Sequence, residues 1–349
     1  MIDFRYHIVS LISVFLALAV GIILGAGPLK ETIGDTLTGQ VEQLRAEKEE
    51  MRAALDRESQ ERAHVDEYVS AASKRVAKGA LDGRRIGVIQ LGSVSDERFE
   101  SIEQQVTYAG ATVSSRITVN DLWTDGEQAA TRVSLANTLT DLLPDDKKEL
   151  PSEKILAAAL IVALGEKNPT DADDMSANAE LALSILEEAK LIGLDRHTPT
   201  PVDAIIIIDG SNDVTGVPEG ESADFTDATS LQMNIAEEAA RSTEGVVVTT
   251  EHVVDTDLVS AIRASASLLK LVATVSDADT PVGQLNTPLA LSAAIGQKIG
   301  HFGFESNATA LVPAAVVLPE PDRSTVDPET DVDLPDTDEG EADEDGSEQ

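Results

Sequence analysis

The chain has no cysteine, which removes disulfides, thiolate metal sites and cysteine nucleophiles together. Aromatic residues make up only 3% of it, with a single tryptophan. Basic residues are also scarce: 26 Lys and Arg stand against 63 Asp and Glu, a formal net charge of −37. A surface of that sign repels phosphate backbones, and no basic patch with interleaved aromatics occurs, so no nucleic acid is expected as a partner. Cations and basic proteins are the natural ones. From Glu320 to Glu348 there are 14 acidic residues against one basic residue, Arg323, so about two-thirds of the excess lies elsewhere and the head itself is acidic.

Recognisable catalytic patterns are missing too. The five histidines, His7, His64, His197, His252 and His301, are scattered without an H-x-x-x-H pair. Neither a G-x-S-x-G elbow nor a G-x-x-x-x-G-K-[ST] loop occurs, and the first strand–helix loop, Gly92-Ser93-Val94-Ser95, lacks the G-x-G-x-x-G spacing. Asp96 and Glu97 would oppose a phosphate at that helix start. The reading is a non-enzymatic chain with no catalytic residues, no cofactor and no metal set; a small-ligand or enzymatic role of the head is kept as the remote alternative.

What the chain does have begins at Ile8. Residues 8–27 read IVSLISVFLALAVGIILGAG, 20 residues without a charge. As a helix they span about 30 Å, the thickness of a bilayer's hydrocarbon core. A cleaved signal peptide is the competing reading. The apolar run is long for one, and Pro28 would follow the only small-residue cut site. Arg5 ahead of the helix, with Lys30 offset by Glu31 behind it, favours a cytoplasmic tip at 1–7. Arg45, Lys48 and Arg52 weaken that bias. The expectation is a single-pass protein of the inner (plasma) membrane with its head extracytoplasmic. Ala17, Gly21 and Gly25 form a small-residue stripe suited to close helix packing, although Gly and Ala are common in such helices anyway.

From 35 to 78 a polar stretch carries an apolar seam in strict 4-3 spacing, the heptad signature. Leu37, Val41, Leu44, Met51, Leu55, Val65, Val69, Ala72 and Val76 are its apolar members; Lys48, Glu58 and Arg62 interrupt the middle. A homodimeric coiled coil, a groove for a partner helix, and an amphipathic helix folded onto the head all fit.

The span 80–318 alternates strand and helix patterns, which predicts an α/β head with a mostly parallel, Rossmann-like sheet. Strands are expected at Arg85–Leu91, 111–119, 204–208, 245–250 and 270–275, with an edge strand at 311–318. Helices are expected from Ser95 and at 152–164, 178–191, 229–241, 257–268 and 288–299. The apolar run 155–164 is too short to span a bilayer and reads as a buried helix. Ligands of such sheets bind beyond the carboxyl ends of the strands. Two loops there carry acids: Asp209 and Asp213 in one, Asp277 and Asp279 with Gly283 in the other. Each could hold a cation, but turn and helix-cap roles are the simpler reading of both. Residues 319–349, rich in Asp, Glu and Pro, read as a disordered acidic tail.

The N-terminus carries a further pattern. Met1-Ile2, Arg5, His7, Val9-Ser10-Leu11, Val14 to Ala19, Gly21 and Leu24-Gly25 resemble the opening of the actinobacterial MctB family, called copper transporters, whose corynebacterial member is SteB. Asp277 to Gly283, Gly300-His301-Phe302-Gly303 and Ala308-Thr309-Ala310 resemble its C-terminal segments. The resemblance implies one of two roles. The SteB line implies a cell-division scaffold acting with a SteA-like membrane partner to activate a peptidoglycan hydrolase. The other line implies copper transport or efflux across the envelope, in one version as an outer-membrane channel. The residues favour the scaffold, because a copper conduit is expected to use Cys, Met or His and a barrel needs alternating strands.

Overall fold

The computed structural model describes residues 4–26, 28–210, 227–254 and 257–323, with backbone alone for 26 and 28–36. The chain divides into two units, Met1–Glu67 and Tyr68–Gln349.

The first unit is helical. Helix α1 (Phe4–Ala26) contains a 22-residue stretch, Phe4–Gly25, long and apolar enough to cross a membrane. Its large side chains, among them Val14, Phe15 and Leu16, are exposed among the described residues. A Cβ on Gly21 or Gly25 would meet only open space. Helix α2 (Pro28–Ala77) opens on a proline, whose fixed φ and missing N–H suit a first turn. It runs on without a break through Gly34. Along it Leu37, Val41, Leu44, Met51, Leu55 and Val65 are all exposed, so among the described residues of one copy the heptad seam from Leu37 to Val65 is uncovered.

The second unit takes in the end of α2. There Ser73 and Ala77 are buried while Val69 is half-buried and Val76 exposed, so the docked face is displaced from the seam. Beyond it come β1 (Arg85–Leu91), α3 (Asp96–Tyr108), β2 (Thr112–Val119), α4 (Ala129–Leu139), α5 (Ser152–Gly165), β3 (Lys167–Asn168), β4 (Asp171–Met175), α6 (Ala177–Glu188), β5 (Ile192–His197), β6 (Ala204–Asp209), α7 (Asp227–Ser242), β7 (Val246–Thr250), α8 (Leu258–Ala264), β8 (Ala273–Val275), α9 (Pro281–Ile295) and β9 (His301–Phe302).

Seven strands form one sheet in the order β5-β2-β1-β6-β7-β8-β9. Every ladder is parallel except β2–β5. Central strands buried on both faces need continuous apolar runs, and β6 (AIIIID) and β7 (VVVTT) are buried at every position. One layer, with α3, α9 and the end of α2, packs Phe99, Ile102, Val106 and Leu291 against Val88, Ile206 and Val247. The other holds α5, whose ten residues Ile155–Leu164 are all buried among α4, α6 and α7. That is why this run is apolar on every side: it is an internal helix.

Several expected boundaries shift. Helix α6 stops at Glu188, before a left-handed Lys190 (φ 56°) that turns the chain into β5, a strand the sequence reading missed. The hairpin β3–β4 and helix α4 were missed as well, being short or weakly periodic. Helix α9 begins at Pro281 and carries Pro288 inside it, so Pro288 is not its start. Residues 311–318 form no ladder; β9 takes the sheet edge and is met beyond it by Thr309 and Ala310. Side chains hold this segment by its carbonyls instead, with Asn286 donating to Leu311 O at 2.8 Å. Packing continues past 318. Arg84 donates to Pro319 O and Lys167 to Asp322 O, so the first residues of the expected tail, to Arg323, lie against the head. The rest of that tail, 324–349, lies outside the described residues.

Candidate functional site

Strand β1 leads outward to β2, while β6 returns on its other side, so the topological switch point lies between β1 and β6. Here that crevice is closed by backbone. Gly210 N donates to Leu91 O at 2.7 Å, and a Cβ on Gly210 would lie 2.4 Å from Ser93 O. Glycine is required by this approach of Gly210 to the loop after β1.

Asp209 ends β6 with its side chain buried. Burial pushes its carboxyl up to about 7, and the neighbouring Asp257 carboxylate adds to the effect; the Leu258 N–H and Arg98 act against it. Asp257 is committed to the start of α8, accepting from Ser260 N at 2.6 Å and Val254 N at 2.9 Å. Asp209 is therefore an enclosed carboxyl that holds its proton into the neutral range, not an open cation ligand. Asp213, its expected companion, lies outside the described residues.

The second expected loop follows β8, and the structure assigns its residues separate tasks. Asp277 adopts a left-handed backbone (φ 56°), which lets Ala278 N reach back to Thr250 O at 3.0 Å. Thr280 then caps α9, accepting from Gly283 N at 3.3 Å, and Pro281 takes the first helical position. A Cβ on Gly283 would sit 2.2 Å from Asp277 O. Gly283 is thus a close-packing position, and Asp277 a turn residue whose carboxylate accepts from Ser276 Oγ at 2.7 Å.

Asp279 is different. Its exposed carboxylate faces the end of β7, where it meets Glu251 and His252 with one ligand atom of each residue within 4.8 Å of the others. His252 Nδ1 donates to the Glu251 carbonyl oxygen at 2.6 Å, since a carbonyl can only accept. In the neutral ring this leaves the Nε2 lone pair free, the arrangement in which imidazole serves as a metal ligand. The Glu251 carbonyl raises the His252 pKa most, and the carboxylates of Asp279, Glu251 and Asp277 add to it. Those same groups form a field that attracts a cation. Glu251 is held from behind by the guanidinium of Arg98 on α3, which orients its carboxylate and offsets part of its charge. One nitrogen with two carboxylates is a donor set for a divalent ion of the copper(II) or zinc kind, completed by water.

The sequence reading found only Asp279 of this group. Glu251 and His252 belong to no motif, and the available signal was their position directly after the predicted strand 245–250. Two other landmarks of the resemblance prove to be packing devices. His301 is buried with Nδ1 2.9 Å from Thr274 Oγ1 and Nε2 3.0 Å from Leu269 O. A Cβ on Gly303 would lie 2.0 Å from Ser276 Oγ. A cleft of about 640 Å³ beside α9 and the segment 312–320 lies apart from the carboxyl-end cluster.

Comparison with known proteins places these observations. Residues 1–313 match the family described as "Copper transport outer membrane protein, MctB". The proteins named copper transporter MctB of Mycobacterium tuberculosis and Mycobacterium bovis are 27% identical over 321 residues, covering 87% of this chain and 96% of theirs. That of Mycobacterium leprae is 25% identical over 138 residues, covering 40% of this chain and 44% of its own. Among solved structures, ligand-free aspartate transcarbamoylase from Trypanosoma cruzi shares 13% identity, covering 66% of this chain and 88% of that one, with a TM-score of 0.15. Its phosphate complex gives 14% identity over the same shares and a TM-score of 0.14. These likenesses are too slight to inform fold or chemistry. The family match, by contrast, runs from the apolar helix through the head to Pro313, and the chain belongs to the MctB family.

Proposed function

We propose that the protein handles copper at the cell envelope, anchored by α1 in the inner (plasma) membrane with its N-terminus cytoplasmic and its head extracytoplasmic. The observation that carries this is the 27% identity running across 96% of the mycobacterial copper transporter MctB proteins. An open, mostly parallel sheet with helices on both faces does not make a lipid-facing barrel, so α1 is the segment suited to lipid. With no cysteine, a thiolate route for copper(I) is closed. Nitrogen and oxygen donors suit copper(II), and Glu251, His252 and Asp279 supply them.

Copper(II) titrated into the detergent-solubilised full chain should give an electron paramagnetic resonance spectrum with imidazole nitrogen coupling. His252→Asn should abolish that coupling, and Asp279→Asn should weaken binding. A spectrum unchanged by either substitution would remove this centre. Cells lacking the protein should accumulate copper; unchanged accumulation would remove the transport reading altogether.

A second reading is favoured by the uncovered seam of α2. In it the protein is a SteB-like scaffold that joins a SteA-like membrane partner and relays a signal to a peptidoglycan hydrolase. Deleting residues 37–65 while keeping anchor and head should then reproduce the division defect of a null strain, whereas normal septation would sink the idea.

A further inference from the structure

Six large apolar side chains of α2, Leu37, Val41, Leu44, Met51, Leu55 and Val65, are between 45% and 64% exposed along one seam. Spread over about 42 Å of helix, such a stripe is a partner surface left open. The charges beside it identify the partner. In a parallel, in-register pair, the residue just before one core position faces the residue five places later on the other helix. That rule sets Glu47 opposite Arg52 of the second copy, and Gln40 opposite Arg45. The polar interruptions of the seam are matched as well. Lys48 packs beside Glu47 of the second copy, Arg62 beside its Glu61, and Glu58 one core layer from its Arg62. Against these stand Glu61 opposite Asp66 and the core positions themselves, since Lys48, Glu58 and Arg62 each face their own copy in a parallel pair. In the antiparallel register that sets Arg52 against Arg52, Glu47 lies near Glu61, so the flanking pairs favour the parallel sense while the core pair of Lys48 with Glu58 favours the antiparallel one.

We propose that residues 37–65 of α2 pair with the same segment of a second copy of this chain in a parallel, two-stranded coiled coil. The membrane anchor proposed above puts both N-termini on one side, which agrees with the parallel sense. Lys48, Glu58 and Arg62 cost stability in the seam and in return specify register and strand number, the best-attested use of polar core residues.

The absence of native cysteine makes the test clean. Leu44→Cys and Leu55→Cys, on the seam, are compared in native membranes with Ala53→Cys, on the outer face, in the full chain under mild oxidation. The seam variants should give a disulfide-linked species of twice the chain mass and the outer-face variant should not. Adding Arg52→Glu to the Leu44→Cys chain should cut that product several-fold. Co-expressing it with a differently tagged Leu44→Cys chain bearing Glu47→Arg should restore a mixed product. Equal crosslinking at all three positions, no crosslinking from the seam, or a product of another mass would overturn the proposal. None of these readouts involves copper, so their failure leaves the copper reading standing.

Discussion

Arg323 donates through Nη2 to Asp203 Oδ2 at 2.9 Å, joining residues 120 apart at the amino end of the sheet. The Asp203 side chain is 1% exposed, and it also accepts from Arg85 N at 2.8 Å. An acid so enclosed needs its counter-charge, and Arg323 brings the end of the described chain with it. Arg323→Ala should destabilise the head by about 2–3 kcal/mol, because a buried carboxylate is left with one neutral donor. Urea unfolding followed by circular dichroism would measure this. An equal loss in an Asp203→Asn background would show that the pair does not act as supposed.

Gly283 marks a steric limit. Alanine there would place a methyl group against Asp277 O, a backbone atom that cannot swing aside. Gly283→Ala should cost about 2–3 kcal/mol, the upper range for overpacking, and should displace the turn that carries Asp279. Copper(II) affinity should therefore fall along with the melting temperature. A variant of unchanged stability would mean that the approach is looser than described.

Asp209 supplies a pH signature. Its folded pKa of about 7 lies above the ordinary value of 3.8, so the folded state binds the extra proton between those limits. Its contribution is fully present below about pH 4 and is lost as pH rises through about 7, worth at most about 4 kcal/mol. Buried His301 acts in the opposite sense, since burial lowers its pKa and its contribution falls away as the medium is acidified below the ordinary histidine range. The informative quantity is therefore the difference between wild type and Asp209→Asn. The variant keeps an oxygen for Leu258 N and should gain relative stability from pH 5 to pH 8. A difference that does not change with pH would refute the assignment.

The seam charges of α2 predict a salt response. If the two-stranded pairing is held in register by Glu47 with Arg52 and by Arg62 with Glu61 and Glu58 of the second copy, high salt should weaken register selection more than pairing itself. In the crosslinking assay, 1 M sodium chloride should raise the product of mismatched cysteine pairs (Leu44→Cys with Met51→Cys). Identical mismatched yields at low and high salt would count against a role for those charges.

The sequence by itself determined what depends on neighbours along the chain. A charge-free run from Ile8 to Gly27, the seam from Leu37 to Val65, and strand β1 from Arg85 to Leu91 are legible because hydrophobic period and length are local properties. Even α5 was readable as internal from its unbroken apolar stretch. The elements missed were those whose pattern is short, such as β3 and β4, or whose strand status comes from pairing, such as β5 against β2. Residues 311–318 failed the other way, having strand composition but no ladder. Only the tertiary structure decided the chemistry. Parallel pairing sets the ends of β7 and β8 side by side, and that alone brings Glu251 and His252 to Asp279, 27 residues downstream of His252. The same packing shuts the switch point with Gly210 and encloses Asp209. Carboxylates are abundant in this chain, so which of them is a ligand, a cap or a buried acid depends on what the fold places beside it.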